Sequence, residues 1–556
     1  MSDPETWSLP DERLPKVATC CVPTSEATQP KAESRFVSEA TVMTTRELVT
    51  ELEDSLFRAV TLSESLSGFG KHWTQASTES MYEVQSKEYS LSFQTQRYHH
   101  FLSHDWKTSR WAKFWSLLIL FNHGIATLAM LICCVIVGLC RESGALLGED
   151  EGRVHRLTTS LLPWLVHTFF FFFWQRIRSL AQRPLLVFLD KLCIAQHDDA
   201  ELKQRGILGL AAFLGRSDHL TILWSRRYLT RLWCGYELAT FLRDSSESKS
   251  LTFFPVSMAL VVILPTIYMC MIKVQMQLDV ATLAVSMGLA DLEVGAGWKG
   301  LVVFRVLPGV CIVFATMPFL FYSTVVLFRD ISTVDGQLKD FSLEGSECFC
   351  CANDHRHPDT GEALPCDRNL VYEAVRLWYG ADTDTKEEHL KRFDRMVHTR
   401  LRPRVLAGAD SAIFPARMMI HMALVSSAPR LCDAFTMVRD LHLEYPQADW
   451  SALQHFWKAL CAFSYCLVDF SIDALVLRIV YTTAFGHISQ RLSRMMSDMK
   501  AALLLTVINL PLPVAARTLL MFVFLERIPY DLRPVYALAL LLLVLCFFRT
   551  SFCRRQ

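Results

Sequence analysis

Leu185-Leu186-Val187-Phe188-Leu189-Asp190 is a run of apolar residues closed by a carboxylate, the pattern of a buried strand with a polar end. Asp198-Asp199-Ala200-Glu201 follows as a capping box, with Asp198 capping and Glu201 three residues on. A helix is expected next, burying Leu202, Ile207, Leu210, Ala211 and Leu214. Ser217 and Asp218 break that pattern, and Leu220-Thr221-Ile222-Leu223-Trp224-Ser225 reads as a second strand. Tyr228-Leu229-Thr230 leads into another helix holding Trp233, Cys234, Glu237, Leu238 and Phe241, with Thr230 as the expected N-cap. Strand, helix, strand, helix is the order of a parallel α/β sheet.

Outside this stretch the chain is unlike an ordinary soluble protein. Of 556 residues, 51% are hydrophobic and only 20% charged. Lys plus Arg and Asp plus Glu stand at 56 each, so no net field attracts nucleic acid, and none is expected as a partner. The apolar residues fall in runs: Trp115–Leu139, Leu161–Trp174 with Phe169 to Phe173 in succession, Phe253–Ile272, Leu301–Phe328, Ala501–Phe524 broken by Pro511 and Pro513, and Pro534–Phe548. Phe456–Tyr481 is a further candidate, but it carries Lys458, Asp469, Asp473 and Arg478. It reads as an interfacial helix or a seventh span. Asp469 and Asp473 share one helix face, as an ion or proton site in a bilayer would require.

Loop charges orient the runs. Arg141–Arg156 and Gln275–Lys299 are mildly acidic, whereas His487–Lys500 and the tail after Phe548 are basic. Six spans in three hairpins satisfy all four segments, giving an integral, multi-pass protein with both termini cytoplasmic. From Met1 to Arg97 there are 15 acidic and 9 basic residues, and no basic, then apolar, opening that would mark a cleavable signal peptide. Residues 1–97 therefore read as a mostly disordered acidic arm. The exception is Arg46–Ser65, where Val49, Leu52, Leu56 and Val60 recur at helical spacing.

With Phe101-Leu102-Ser103-His104-Asp105 upstream, the pieces fall in a specific order: an opening strand, a strand ending in Asp190, a helix, Ser-x-x-Tyr at the end of the next strand, then Trp-Cys-x-x-Glu-Leu from Trp233. That order resembles a TIR (Toll/interleukin-1 receptor) domain. The resemblance covers Tyr98–Asp105 and Pro184–Arg243. It implies a flavodoxin-like parallel sheet, truncated after Arg243 unless later residues complete it, with an apolar hairpin inserted after the first strand. It also implies signalling or self-association through TIR–TIR contacts. Some TIR domains cleave NAD at the nicotinamide–ribose bond with a Glu on the helix after Ser-x-x-Tyr, which by motif match is Glu237. Phe101, Ser103, Asp190 and Trp233 are then the expected NAD contacts, at the edge where ligands bind in open α/β sheets. The same motif also occurs in non-catalytic TIR domains, where Trp, Cys and Leu pack on the sheet. The catalytic expectation is an NAD glycohydrolase. The competing one is a transporter or channel with a regulatory TIR-like module.

Cys348, Cys350, Cys351, His355, His357 and Cys366 put six potential ligands within 19 residues. Four of them can close a tetrahedral zinc site, although vicinal Cys350 and Cys351 are awkward together. Acylation of the cysteines, or plain reduced thiols, are the alternatives. The 18 Cys are otherwise scattered, without a disulfide framework. The expected organisation is an arm over 1–97, a TIR-like module over 98–106 and 184–245, and an inserted hairpin over 112–175. A second membrane pair over 251–328 follows, then a cytosolic region over 329–455 containing the Cys/His loop 347–366. A helix over 456–482 and a C-terminal pair over 501–549 complete it.

Overall fold

The computed structural model describes residues 53–74, 88–143, 153–195, 209–243, 249–277, 307–356, 366–381, 387–410, 413–444, 452–484, 496–509 and 523–553, with a few isolated positions between them. The chain is mostly helical around one mixed sheet. Six strands are described: β1 Arg58–Thr61, β2 Phe93–Gln94, β3 Tyr98–His104, β4 Leu186–Phe188, β5 Ser217–Trp224 and β6 Ser250–Pro255, in the order β2-β1-β4-β3-β5-β6.

The strand at Leu186–Phe188 and the second strand of the α/β reading flank β3, the upstream strand at Phe101-Leu102. β3 and β4 are parallel, with His100 opposite Val187 and Phe101 opposite Phe188. β3 also pairs in parallel with β5, and β5 with β6. Both faces of these strands are covered, so Phe101, Leu102, Val187, Phe188, Leu220 and Ile222 are buried together, as central parallel strands require. The helix Leu232–Arg243 lies over the sheet on Cys234 and Leu238.

Several expectations are corrected. In its described part the helix expected over Arg46–Ser65 is formed only as the single turn Leu62–Ser65. Asp54–Leu56 is a single 3-10 turn and Arg58–Thr61 is a strand antiparallel to β4, with Val60 opposite Val187. Burial of Ala59 and Val60 against the sheet outweighs a weak helical period. The arm over 1–97 thus supplies β1 and β2, and β3 starts directly after it at Tyr98. Ser217 and Asp218 do end the helical pattern, since the helix stops at Gly215, but β5 starts at Ser217, opposite Tyr98, ahead of the expected Leu220. Thr230 is not the cap of the following helix; its hydroxyl donates to the Arg227 carbonyl at 2.9 Å inside a 3-10 turn. Phe253 and Phe254 belong to β6, which extends the sheet beyond Arg243, and the apolar helix begins at Met258. The first apolar run is two helices, Arg110–Phe121 and His123–Glu142, separated at Asn122. Asn122 is buried, donating to the Phe171 carbonyl at 2.8 Å and accepting from Gln175 at 2.7 Å.

Among the described residues, three helices are long and apolar enough to cross a membrane: His123–Glu142, Phe314–Lys339 and Leu453–Ile479. The last is the segment that reads from sequence as an interfacial or seventh helix. Met258–Met271 and Met418–Ser427 are shorter apolar helices. Exposed Leu128, Ile132, Ile136 and Leu139 line the outer side of the first of the three, a contiguous apolar face consistent with membrane association. Pro511 and Pro513 lie outside the described residues, as does the capping box at Asp198.

Candidate functional site

Three polar side chains meet at the C-terminal end of the parallel strands. Ser103, next to last in β3, is fully buried. Its hydroxyl lies 2.5 Å from the Tyr228 hydroxyl and donates to the Glu237 carboxylate. Tyr228 is placed by the 3-10 turn after β5, and Glu237 by the second turn of the helix Leu232–Arg243. The Cys234 thiol, on the same helix, reaches the His104 carbonyl at 3.7 Å and fixes the helix against the end of β3.

The environment favours an uncharged Glu237. The residue keeps some exposed surface, but its carboxyl group is enclosed by protein. Burial pushes it up to about 8; the Ser103 hydrogen bond opposes this and the Asp190 charge adds to it. Asp190 opens a short helix just past β4 and accepts from the Trp106 indole at 3.0 Å. Burial raises its pKa too, against the hydrogen bonds from the Lys191 backbone and Trp106. Lys113 is fully buried behind this edge, 5.2 Å from the Trp106 ring centre. Burial pushes its ammonium down to about 8, although Asp190 and Asp105 pull it up. Asp105 is buried between Arg227 at 3.9 Å and Arg231 at 3.8 Å.

Of the residues expected here, Ser103 and Glu237 are in contact and Asp190 acts on Glu237 through its charge. Phe101 is a core residue, 1% exposed and stacked on Phe188 at 4.6 Å. Trp233 packs on Tyr236, and its indole donates to the Asp367 carboxylate at 3.3 Å. Tyr228, Trp106 and Lys113 are not singled out by sequence as site residues. A Tyr at the end of Ser-x-x-Tyr carries the signal for the first. The other two lie in the polar stretch between β3 and the apolar run from Trp115, where no periodicity marks them.

The Cys/His loop forms a second cluster. The ligand atoms of Cys350, Cys351, His355 and Cys366 all lie within 4.8 Å of one another, and this group could hold a metal ion. Sulfur separations are 4.0 Å for Cys350–Cys351 and 3.9 Å for Cys351–Cys366. Tetrahedral ligands on bonds of ~2.3 Å stand about 3.8 Å apart, so the vicinal pair fits one centre. Asp354 and His355 have φ of 50° and 56°, a left-handed turn that brings His355 back over the short helix Phe349–Ala352. Cys348 lies 3.2 Å from Cys350 and groups instead with Cys350 and Asp367. His357 lies outside the described residues. The loop is stitched to the sheet module: Glu347 donates to the Thr230 carbonyl at 2.6 Å and Leu232 to the Glu347 carbonyl at 3.1 Å.

The helical part holds a third polar group. Asp469 and Asp473, both fully buried on one face of Ala452–Ala484, share the Lys273 ammonium, which is 2.8 Å from Asp473 and in contact with Asp469. Ser426 donates to Asp473 at 2.6 Å. Helical spacing places the two carboxylates on one face but gives no sign of Lys273, 196 residues away from Asp469.

No family model matches the chain, and no curated protein or solved structure matches it either.

Proposed function

We propose that the chain is a multi-pass, membrane-anchored TIR-like signalling or self-association protein, with its sheet module and both termini in the cytoplasm, whose Glu237 edge binds NAD and cleaves its nicotinamide–ribose bond. The observation that carries this reading is the Ser103–Glu237–Tyr228 contact at the C-terminal edge of parallel strands, where open α/β sheets take nucleotides. In cleavage, the C1′–N bond breaks with its electron pair leaving on nicotinamide. The Glu237 carboxylate stabilises the positive charge left on the ribose. Water adds to C1′ and releases one proton, giving ADP-ribose and nicotinamide. The step needs the carboxylate, so the protonated resting state of Glu237 is a latent one.

The Cys350, Cys351, His355 and Cys366 group is assigned zinc, in a closed structural site that holds the loop against the helix of Glu237. Equilibrium binding of labelled NAD to the full-length protein in lipid nanodiscs tests the reading. Saturable binding lost in Ser103→Phe is expected, and no saturable binding by the wild type overturns it.

A second reading, a transporter or channel regulated by the module, is favoured by the buried Lys273–Asp469–Asp473 group. Ion flux in liposomes that survives replacement of both Asp residues by Asn would exclude it.

A further inference from the structure

The helical part contains a concave site remote in character from the sheet edge. A cavity of about 560 Å³ is lined by residues of Arg110–Phe121, His123–Glu142, Arg153–Leu180 and Met258–Gln277, with Ile312 and Val425 from two further helices. That is within the ~300–1,000 Å³ of ordinary small-molecule sites. Its walls are apolar and aromatic, including Trp115, Trp164, Phe171 and Phe172, and none of its described lining residues is charged.

Two imidazoles interrupt this lining. His123 is 4% and His167 9% exposed, and the Nε2 atom of each has no hydrogen-bond partner. Their ring centres are 5.9 Å apart, so both serve one region of the cavity. Several polar neighbours are satisfied. Asn122 is bonded to Phe171 and Gln175, Trp164 donates to the Val425 carbonyl at 2.8 Å, and Thr266 donates to the Val262 carbonyl at 2.8 Å. Orphaned polar atoms in an apolar cavity are the arrangement of a site built for one polar group on an apolar ligand.

We propose that this cavity binds one uncharged, apolar alcohol of sterol size, drawn from the surrounding lipid, with its hydroxyl hydrogen-bonded to Nε2 of His123 or His167. A hydroxyl both donates and accepts, so it satisfies an imidazole nitrogen in either tautomer. A carboxylate headgroup would bring a charge to walls that offer no cation. Ile267 and Met271 line the cavity and are also 47% and 42% exposed, which gives the ligand a lateral way in from the apolar outer surface. The inference is independent of the NAD reading.

The test uses the full-length protein in nanodiscs and dehydroergosterol, a fluorescent sterol, as probe. Trp115 and Trp164 line the cavity and serve as energy-transfer donors. Transfer is expected to saturate and to be reversed by unlabelled cholesterol. 5-Cholestene, which lacks the hydroxyl, should compete about fivefold less well or worse, the loss of one net hydrogen bond. Thr266→Trp, which fills the cavity, should abolish the saturable transfer. The double variant His123→Phe, His167→Phe should bring cholesterol and 5-cholestene to parity. Transfer that never saturates, or that persists in Thr266→Trp, overturns the site. If the variants do not fold, competition on the wild type decides: equal potency of cholesterol and 5-cholestene overturns the hydroxyl assignment, and no displacement overturns binding.

Discussion

Replacing Glu237 by Gln should make the protein more stable, by an amount that depends on pH. Gln keeps the shape and an acceptor for the Ser103 hydroxyl, so the variant removes the titration and little else. In the folded chain burial raises the Glu237 carboxyl from 4.5 to about 8. The unfolded chain therefore ionises first. Between those two values the folded state holds a proton that the unfolded state has released, so wild-type stability falls as pH rises and levels off above about 8. Full conversion of such a shift gives an upper bound of ~5 kcal/mol, and partial exposure of the residue brings the expected figure to roughly 2 kcal/mol. For a module of this size that is a difference of several degrees in apparent Tm. The assay is thermal unfolding of wild type and Glu237→Gln in matched detergent from about pH 4.5 to 9, a range that brackets both values. The two proteins should unfold together at the acid end and separate progressively, with the Glu237→Gln variant the more stable, until a plateau just above about pH 8. A separation that is constant with pH, or one that opens only at the acid end, would refute the burial argument.

Three further outcomes follow from the geometry. Lys273→Met should destabilise the helical part by about 3–5 kcal/mol, because it leaves Asp469 and Asp473 buried without their ammonium. The triple variant that also carries Asp469→Asn and Asp473→Asn should recover much of this in chemical denaturation. Gly138→Leu should separate His123–Glu142 from Pro429–Glu444, since even a Cβ there would sit 2.3 Å from the Phe435 ring, at a cost of about 1–3 kcal/mol read as a lowered Tm. Cys366→Ser should cut the zinc bound per chain, measured by elemental analysis of purified protein, whereas Cys311→Ser should leave it unchanged.

What is legible in the sequence has a physical pattern. Leu185–Leu189 and Phe101-Leu102 can be read as strands because strands buried on both faces leave continuous apolar runs, but that they pair with each other is not in the runs. β1 cannot, because Arg-Ala-Val-Thr is too short to show a period and becomes a strand only through its pairing with β4. β6 is absorbed into the apolar run that follows it, since Phe253 and Phe254 suit a strand core and a membrane helix equally well. The break at Asn122 is hidden for the converse reason: one polar residue in a long apolar run looks tolerable until its partners, Phe171 and Gln175, are known. The site shows the same limit. Ser103 and Glu237 are visible only through the resemblance to TIR domains, and the four clustered Cys and His residues through local density. Lys113 and Lys273 depend on contacts between distant segments, which spacing alone does not contain.

The most direct test of the central claim is nicotinamide release from NAD by the full-length protein, reconstituted at high density in liposomes to favour self-association. Release is expected in the wild type, rising as pH approaches about 8 and the Glu237 carboxylate forms, and is expected to be lost in Glu237→Gln. Absence of release from the wild type across that range, or equal release from Glu237→Gln, would contradict the account.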